Sequence, residues 1–252
     1  MILKILCTLG PASLNEAIIK KLDMRDVSLF RINLSHTSLE DLEGTIKIIQ
    51  KYSNTPICLD TEGAQVRNLY MEKRTFYDTG KLVKILVDDK VGNNQELSIR
   101  PREALDQLDE GSIITIDFGG VMMIVSKKRK KYVEAKVINS GHVSDNKAIT
   151  FFPFAVLPPL TIKDEKAIEI AKKYGIKTFA LSFTNTVADV KYLKKIIGKE
   201  SKIISKIETI KGVENLSSII KEVDAILIDR GDLSREIPLE NIPFLQKKII
   251  NK

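Results

Sequence analysis

Residues 202–213, KIISKIETIKGV, put a lysine and, two positions on, a glutamate at the end of an apolar, strand-like run. Two apart on a strand, Lys206 and Glu208 share a face. A buried charge is costly unless it is paired or bound to a metal. Either the two form a structural ion pair, or this strand end is a working site. A lysine there can reach a transferring phosphoryl group. Glu208, with Asp232 at the end of the next strand, offers the hard oxygen ligands that hold Mg²⁺ or Mn²⁺. Arg31 and Arg67 are further cations suited to phosphate. Asn33, Ser35, Asp60 and Thr61 are oxygen donors on neighbouring strands. That set suits a weakly hydrated monovalent cation, or else it is a hydroxyl and carboxylate network capping strand ends.

The elements that must position these groups alternate along the chain. ILKILCTL is followed by LNEAIIKKLD, VSLFRINL by SLEDLEGTIKIIQKY, and then comes TPICLD. The rhythm resumes with TIKDEKAIEIAKKYG as a helix stopped at Gly175 and TFALSF as a strand. TVADVKYLKKIIG is a helix stopped at Gly198, KIISKIE a strand, TIKGVENLSSIIKE a helix, AILIDR a strand and ENIPFLQKKIINK a final helix. Continuous apolar strands between amphipathic helices mean a parallel sheet covered by helices. The predicted fold is α/β and TIM-barrel-like, with about six β-α units. Between Glu62 and Leu157 the rhythm changes to strand-like segments separated by Gly, Asn and Asp, and only EALDQL looks helical. This predicts an inserted all-β domain. The expected division is residues 1–61 as the first part of the barrel, 62–157 as the insertion, and 158–252 as the second part. Active sites of parallel α/β barrels lie at the C-terminal strand ends. Five of the six ends carry charge or several hydroxyls, which together put Arg31, Asn33, Ser35, Asp60, Arg67, Lys206, Glu208 and Asp232 around one mouth.

Composition narrows the class. The chain has 252 residues, 43% hydrophobic and 6% aromatic with no tryptophan, so its core must be mostly Ile, Leu and Val. No run of eighteen uncharged apolar residues exists, which argues against a membrane span. The N-terminus reads as a first strand and not a signal peptide. Cys7 and Cys58 read as buried free thiols of a cytoplasmic protein. The net charge of +7 comes from 31 Lys and only 9 Arg, with little aromatic interleaving. That balance argues against nucleic acid and suits a small anionic substrate drawn in by steering. The basic run Lys127 to Lys131 is either a solvated hairpin turn or a phosphate-attracting rim.

The motifs KILCTLGPAS, RINLSH, LDTEGAQVR, LPPLTIKDEKAI, SKIETIKGVENL, AILIDRGDLSREIP and FLQKKII, in this order, resemble pyruvate kinase along nearly the whole chain. The resemblance implies phosphoryl transfer from phosphoenolpyruvate to ADP, giving pyruvate and ATP, with a divalent metal (Mg²⁺ or Mn²⁺) and K⁺. It implies Glu208 and Asp232 as divalent-metal ligands, Lys206 as the catalytic lysine and Arg31 as the grip on the phosphate. It implies Asn33, Ser35, Asp60 and Thr61 as the K⁺ site. Arg67 resembles an arginine near the nucleotide phosphates, and His36 stands beside the nucleotide or behind the K⁺ ligands. The backbone at Gly231 and Asp232 would meet the substrate carboxylate. The insertion stands where the family has its mobile lid.

The chain departs from the family pattern at Glu62, which reverses a charge, and at Ala64 and Gln65. Phe118 drops a carboxylate, Asn185 replaces an arginine, and Asp229 stands where the family has alanine. The seventh and eighth strands, the threonine carried by the seventh, and a C-terminal domain are not found in these 252 residues. The expectation is therefore self-association or some other cover for an open barrel side, and weak or altered activity. Two alternatives stay open. One is a related metal-dependent enzyme handling phosphoenolpyruvate or a pyruvate enolate with another acceptor. The other is a non-catalytic remnant with a binding role.

Overall fold

β1 (Leu6–Thr8) runs into α1 (Glu16–Asp23), β2 (Leu29–Asn33) into α2 (Leu39–Tyr52), and β3 (Ile57–Asp60) closes this first stretch. The computed structural model describes residues 4–63, 65–86, 88–117 and 119–252. Ala64 and Phe118, two of the departures named above, lie outside them. The chain falls into two compact units: residues 1–63 with 158–252, and residues 64–157.

The second unit is all-β. Its strands are β4 (Val66–Asn68), β5 (Thr75–Tyr77), β6 (Leu82–Leu86), β7 (Glu96–Arg100), β8 (Ile113–Ile116), β9 (Val121–Lys128), β10 (Tyr132–Asn139), β11 (Gly141–Val143) and β12 (Ala148–Phe152). Seven of them close into a barrel in the order β10-β6-β7-β4-β12-β8-β9, and β5 pairs with β11. Closure leaves the barrel no free edge. Alternate residues point inward, so Val83 and Ile85, Ile114 and Ile116, and Val121, Met123 and Val125 fill its core. The basic run lies at the β9–β10 hairpin, where Arg129 N donates to Tyr132 O at 2.9 Å, and all five residues are exposed. All but the last residue of EALDQL lies in a 3₁₀ helix, Arg102–Gln107, and Leu108 follows as its C-cap.

The first unit resumes with α3 (Ile162–Lys173), β13 (Thr178–Leu181), α4 (Val187–Ile197), β14 (Lys202–Ile207), α5 (Ile210–Glu214), α6 (Leu216–Ile219), β15 (Ala225–Ile228), α7 (Arg230–Leu233) and α8 (Ile242–Ile250). Its strands form one parallel sheet in the order β1-β2-β3-β13-β14-β15, with β1 and β15 at the edges. The alternation of strand and helix is therefore as the sequence predicts: α/β, with a parallel sheet and a separate closed barrel.

Local chemistry sets the helix boundaries. Asn15, Ser38 and Thr209 cap α1, α2 and α5 through their side chains, and Thr161 and Thr186 form capping boxes with Asp164 and Asp189. Gly175 and Gly198 adopt positive φ at the ends of α3 and α4. One expected helix breaks. TIKGVENLSSIIKE is two short pieces, because Asn215, at φ −88 and ψ 3, leaves the helical region and turns its side chain to the carbonyl of Asn185.

The two faces of the parallel sheet differ. Phe30 and Ile32, Ile57 and Leu59, Phe179 and Leu181, and Ile203 and Ile207 share a core with Ile19, Leu42, Ile46, Ile168, Val190 and Leu193 from the helices. Burying each such side chain contributes about 1.5–3 kcal/mol. The residues between them in register, Arg31, Cys58, Asp60, Ala180 and Lys206, belong to the opposite face. That face carries the charges.

Candidate active site

β14 delivers Lys206, 6% exposed, and Glu208, 1% exposed, just past its end. Lys206 Nζ lies 2.9 Å from Glu208 Oε1, 3.6 Å from Asp60 Oδ2 and 3.9 Å from Asp229 Oδ2. It also donates to Ser182 Oγ at 3.0 Å. The ion pair that the sequence left as one alternative is present, but it is one contact in a wider network. Burial pushes the Lys206 ammonium down, and Glu208 and Asp60 more than offset this, holding it above the usual lysine range. Burial pushes the Glu208 carboxyl up to about 7, against the pull of Lys206 and the Phe183 N–H.

Asp60, fully buried at the end of β3, is the second anchor. Arg31 Nε donates to its Oδ2 at 2.7 Å, and the Arg31 guanidinium also pairs with it through Nη2. Arg31 Nη1 reaches Thr8 Oγ1 at 2.8 Å, tying β1, β2 and β3 together through one side chain. Thr61 is locked to the β13 end: its Oγ1 accepts from Ser182 N at 3.0 Å and its carbonyl from Ser182 Oγ at 2.7 Å. Phe183, at φ 51, turns its N–H onto Glu208 Oε2 at 2.6 Å. That turn needs a glycine beside it. Gly63 has φ +72, and a Cβ there would come within 2.8 Å of the Phe183 ring.

The structure brings Arg31, Asp60, Lys206 and Glu208 together. Glu208, Asp229 and Asp232 each have a carboxylate oxygen within 4.8 Å of the others. Glu208 Oε1 is buried, with the Lys206 ammonium 2.9 Å away as its countercharge. A buried carboxylate beside two partly exposed ones, all within reach of one point, is a donor set that fits a hard divalent cation. Asp232 Oδ1 also meets Arg235 Nε at 3.2 Å. Gly231 lies in α7, where its N–H and that of Asp232 donate to Asp229 Oδ1 at 3.1 and 3.4 Å.

Asn33 ends β2, and Ser35 and His36 follow in a 3₁₀ turn, Leu34–His36, capped by Asn33 Oδ1, which accepts from Ser35 N at 3.0 Å. Asn33 and His36 line a cleft of about 560 Å³ with Thr8, Gly10, Pro11 and Glu40. Arg67 lies in the second unit, on β4, where it donates to Asn146 O at 2.8 Å. Asn185 serves the fold: its side-chain oxygen accepts from Thr209 Oγ1 and its carbonyl from Asn215 Nδ2.

Sequence reasoning missed three groups here. Ser182 lay inside a hydroxyl-rich strand end, and that richness was its only signal. Asp229 stood out only as a departure from a family pattern. Lys163, in the first turn of α3, carried no signal. Its Nζ pairs with Glu62 Oε2 at 3.2 Å and donates to Leu34 O at 2.5 Å, beside the turn that holds Ser35 and His36.

The family model described as pyruvate kinase, barrel domain, matches residues 2–252. The chain belongs to the pyruvate kinase family. A pyruvate kinase from Sporosarcina psychrophila is 31% identical over 262 residues, covering 99% of this chain and 45% of its own length. One from Corynebacterium efficiens is 32% identical over 257 residues, covering 98% of this chain and 54% of its own. A crystal structure of a pyruvate kinase from Cryptosporidium parvum superposes with a TM-score of 0.85 at 31% identity, over 98% of this chain and 54% of that one. The chain thus spans about half the length of the curated pyruvate kinases it matches.

Both cysteines are free, but only Cys58 is buried; Cys7, expected to be buried as well, is half-buried in the short strand β1. Burial, with the nearby Asp60 carboxylate, pushes the Cys58 thiol up to about 12. The thiolate is the reactive form. In the native protein at pH 8, a thiol reagent should therefore label no more than one cysteine, and Cys58→Ser should leave that signal unchanged. Two fast-reacting thiols before unfolding would contradict the burial.

Proposed function

We propose that this chain carries a pyruvate kinase-like phosphotransferase centre that moves the phosphoryl group of phosphoenolpyruvate to ADP. The observation that carries the reading is Lys206: a buried ammonium held between Glu208 and Asp60, beside Arg31 and the Glu208–Asp229–Asp232 cluster. The P–O bond to the enolate oxygen breaks, and a bond to the terminal phosphate oxygen of ADP forms. Charge spreads over the phosphoryl oxygens as it passes, so preorganised cations supply most of the catalysis. Lys206 and Arg31 are those cations. Arg31 is held by Asp60 and Thr8, and Lys206 by four neighbours, so neither reorganises when charge develops.

Glu208 and Asp232 would hold Mg²⁺ or Mn²⁺, which when bound neutralises phosphate charge. Asn33, Ser35, Asp60 and Thr61 are the proposed K⁺ site. His36, in the cleft beside Asn33, and Arg67 are proposed to meet the nucleotide. The backbone at Gly231 and Asp232 is proposed to receive the substrate carboxylate. The compartment proposed is the cytoplasm; among the described residues, no helix is long and apolar enough to cross a membrane.

A coupled assay for pyruvate formed from phosphoenolpyruvate and ADP tests this. Turnover should require Mg²⁺ or Mn²⁺, and Glu208→Gln combined with Asp232→Asn should abolish it. Metal-independent pyruvate formation would sink the reading. One observation favours a second reading, a related enzyme with another acceptor. Glu62 neutralises Lys163, a cation next to the turn that carries His36. The same assay with acceptors other than ADP separates the two.

A further inference from the structure

We infer that Asp229 is a specificity-determining residue that acts as an internal competitor for the carboxylate of the substrate. The inference rests on the reading proposed above. Asp229 directly follows β15 and precedes the four residues of α7. Its Oδ1 accepts the N–H groups of Gly231 and Asp232. Those are the donors that a substrate carboxylate would use, and an N–H that already serves a carboxylate must exchange one anion for another. The exchange gains little, because the two acceptors are alike in charge and geometry.

The other oxygen, Oδ2, stands 3.9 Å from Lys206 Nζ. One side chain therefore draws on both the backbone donors and the ammonium on which the donor substrate depends. Asp229 also makes the cluster with Glu208 and Asp232 a three-carboxylate set. Glu208 is buried there with Lys206 Nζ 2.9 Å from its Oε1, so the third carboxylate adds negative charge to a set that already draws on that ammonium. The result is a site tuned to hold the divalent cation tightly and a carboxylate-bearing phosphoryl donor weakly. A second carboxylate opposes the substrate through repulsion as well as through occupancy.

Two substitutions separate these effects. Asp229→Ala removes both the occupant and the charge. Asp229→Asn removes the charge but keeps an oxygen on the Gly231 and Asp232 N–H groups, and so keeps the start of α7 capped. Calorimetric titration with Mn²⁺, and then with phosphoenolpyruvate at saturating Mn²⁺, reads both, with circular dichroism to verify folding. Asp229→Ala should bind phosphoenolpyruvate at least tenfold tighter than the unaltered chain and Mn²⁺ several-fold weaker. Asp229→Asn should share the loss in Mn²⁺ affinity but recover less than half of the gain on a logarithmic scale. Unchanged or weaker phosphoenolpyruvate binding by Asp229→Ala, with pyruvate formation intact, overturns the inference alone. Failure of all three proteins to bind phosphoenolpyruvate overturns the proposed function, and this inference with it.

Discussion

Replacing Lys206 with methionine should lower kcat for pyruvate formation about a hundred- to a thousandfold, the loss typical of one preorganised donor aimed at developing charge. The KM for phosphoenolpyruvate should move far less, because a cation on the transferring group acts mainly in the transition state. Methionine keeps the length of the stem and removes the charge. The change also strips the countercharge from the buried Glu208 carboxylate and leaves the fully buried Asp60 with Arg31 alone. Breaking a buried ion pair from one side costs about 3–5 kcal/mol, so the kinetic comparison belongs on protein verified as folded. Glu208, already pushed up to about 7 by burial while Lys206 pulls it down, should then take up a proton at neutral pH. A folded variant with kcat intact and only KM raised would remove Lys206 from the chemical step.

The second large effect is structural. Asp164, fully buried at the third position of α3, accepts hydrogen bonds from the Thr161 N–H and hydroxyl through Oδ2 at 2.9 Å each. It also accepts Glu62 N at 2.7 Å and Gly63 N at 3.1 Å. One carboxylate thus caps α3 and fixes the backbone that leaves β3. Asp164→Ala orphans the Glu62 and Gly63 amides at about 1–3 kcal/mol each and removes a cap of about 1 kcal/mol. A loss of about 3–5 kcal/mol is expected, read as a lower urea midpoint for the transition reporting the first unit. Hydrogen exchange at Glu62 and Gly63 should accelerate, and Asp164→Asn should recover part of both. Unchanged exchange at those two amides would show that the carboxylate does not hold them.

Much of this was legible in the chain itself. Apolar strand runs alternate with helices started by Ser, Thr or Asn, and each cap is a local signal. The charges of β14 were visible because lysine and glutamate interrupt an otherwise apolar run. What was hidden depends on backbone geometry at strand ends. Ser182 and Phe183 act through a left-handed turn that composition does not announce. Asp229 turns its side chain onto its own following backbone, a local choice open to any Asp at a helix start. Lys163 reaches the Leu34 carbonyl across 129 positions of sequence, a contact no local pattern encodes. Arg67 belongs to the β-barrel unit, inside the span 62–157 that the sequence marks as an insertion. Helix spacing over 209–222 failed at Asn215 because a side-chain bond to Asn185 outweighed the periodicity.

The interruption of the first unit by the second also sets an order of assembly. β3 pairs with β13 through Cys58 and Thr178, about 120 residues apart along the chain. Every pairing of the closed barrel, by contrast, lies within the uninterrupted span 64–157. Closing a loop costs entropy that grows with the logarithm of its length, roughly 0.6 kcal/mol per doubling. While the span 64–157 remains unfolded, joining β3 to β13 carries that full cost. Once the span has collapsed into its barrel, the effective loop is far shorter. The barrel should therefore form first, and the register between β3 and β13 should be set late, with Asp164 among the last groups to find its donors. On a ribosome the sequence of events is the same, since residue 157 emerges before β13 does.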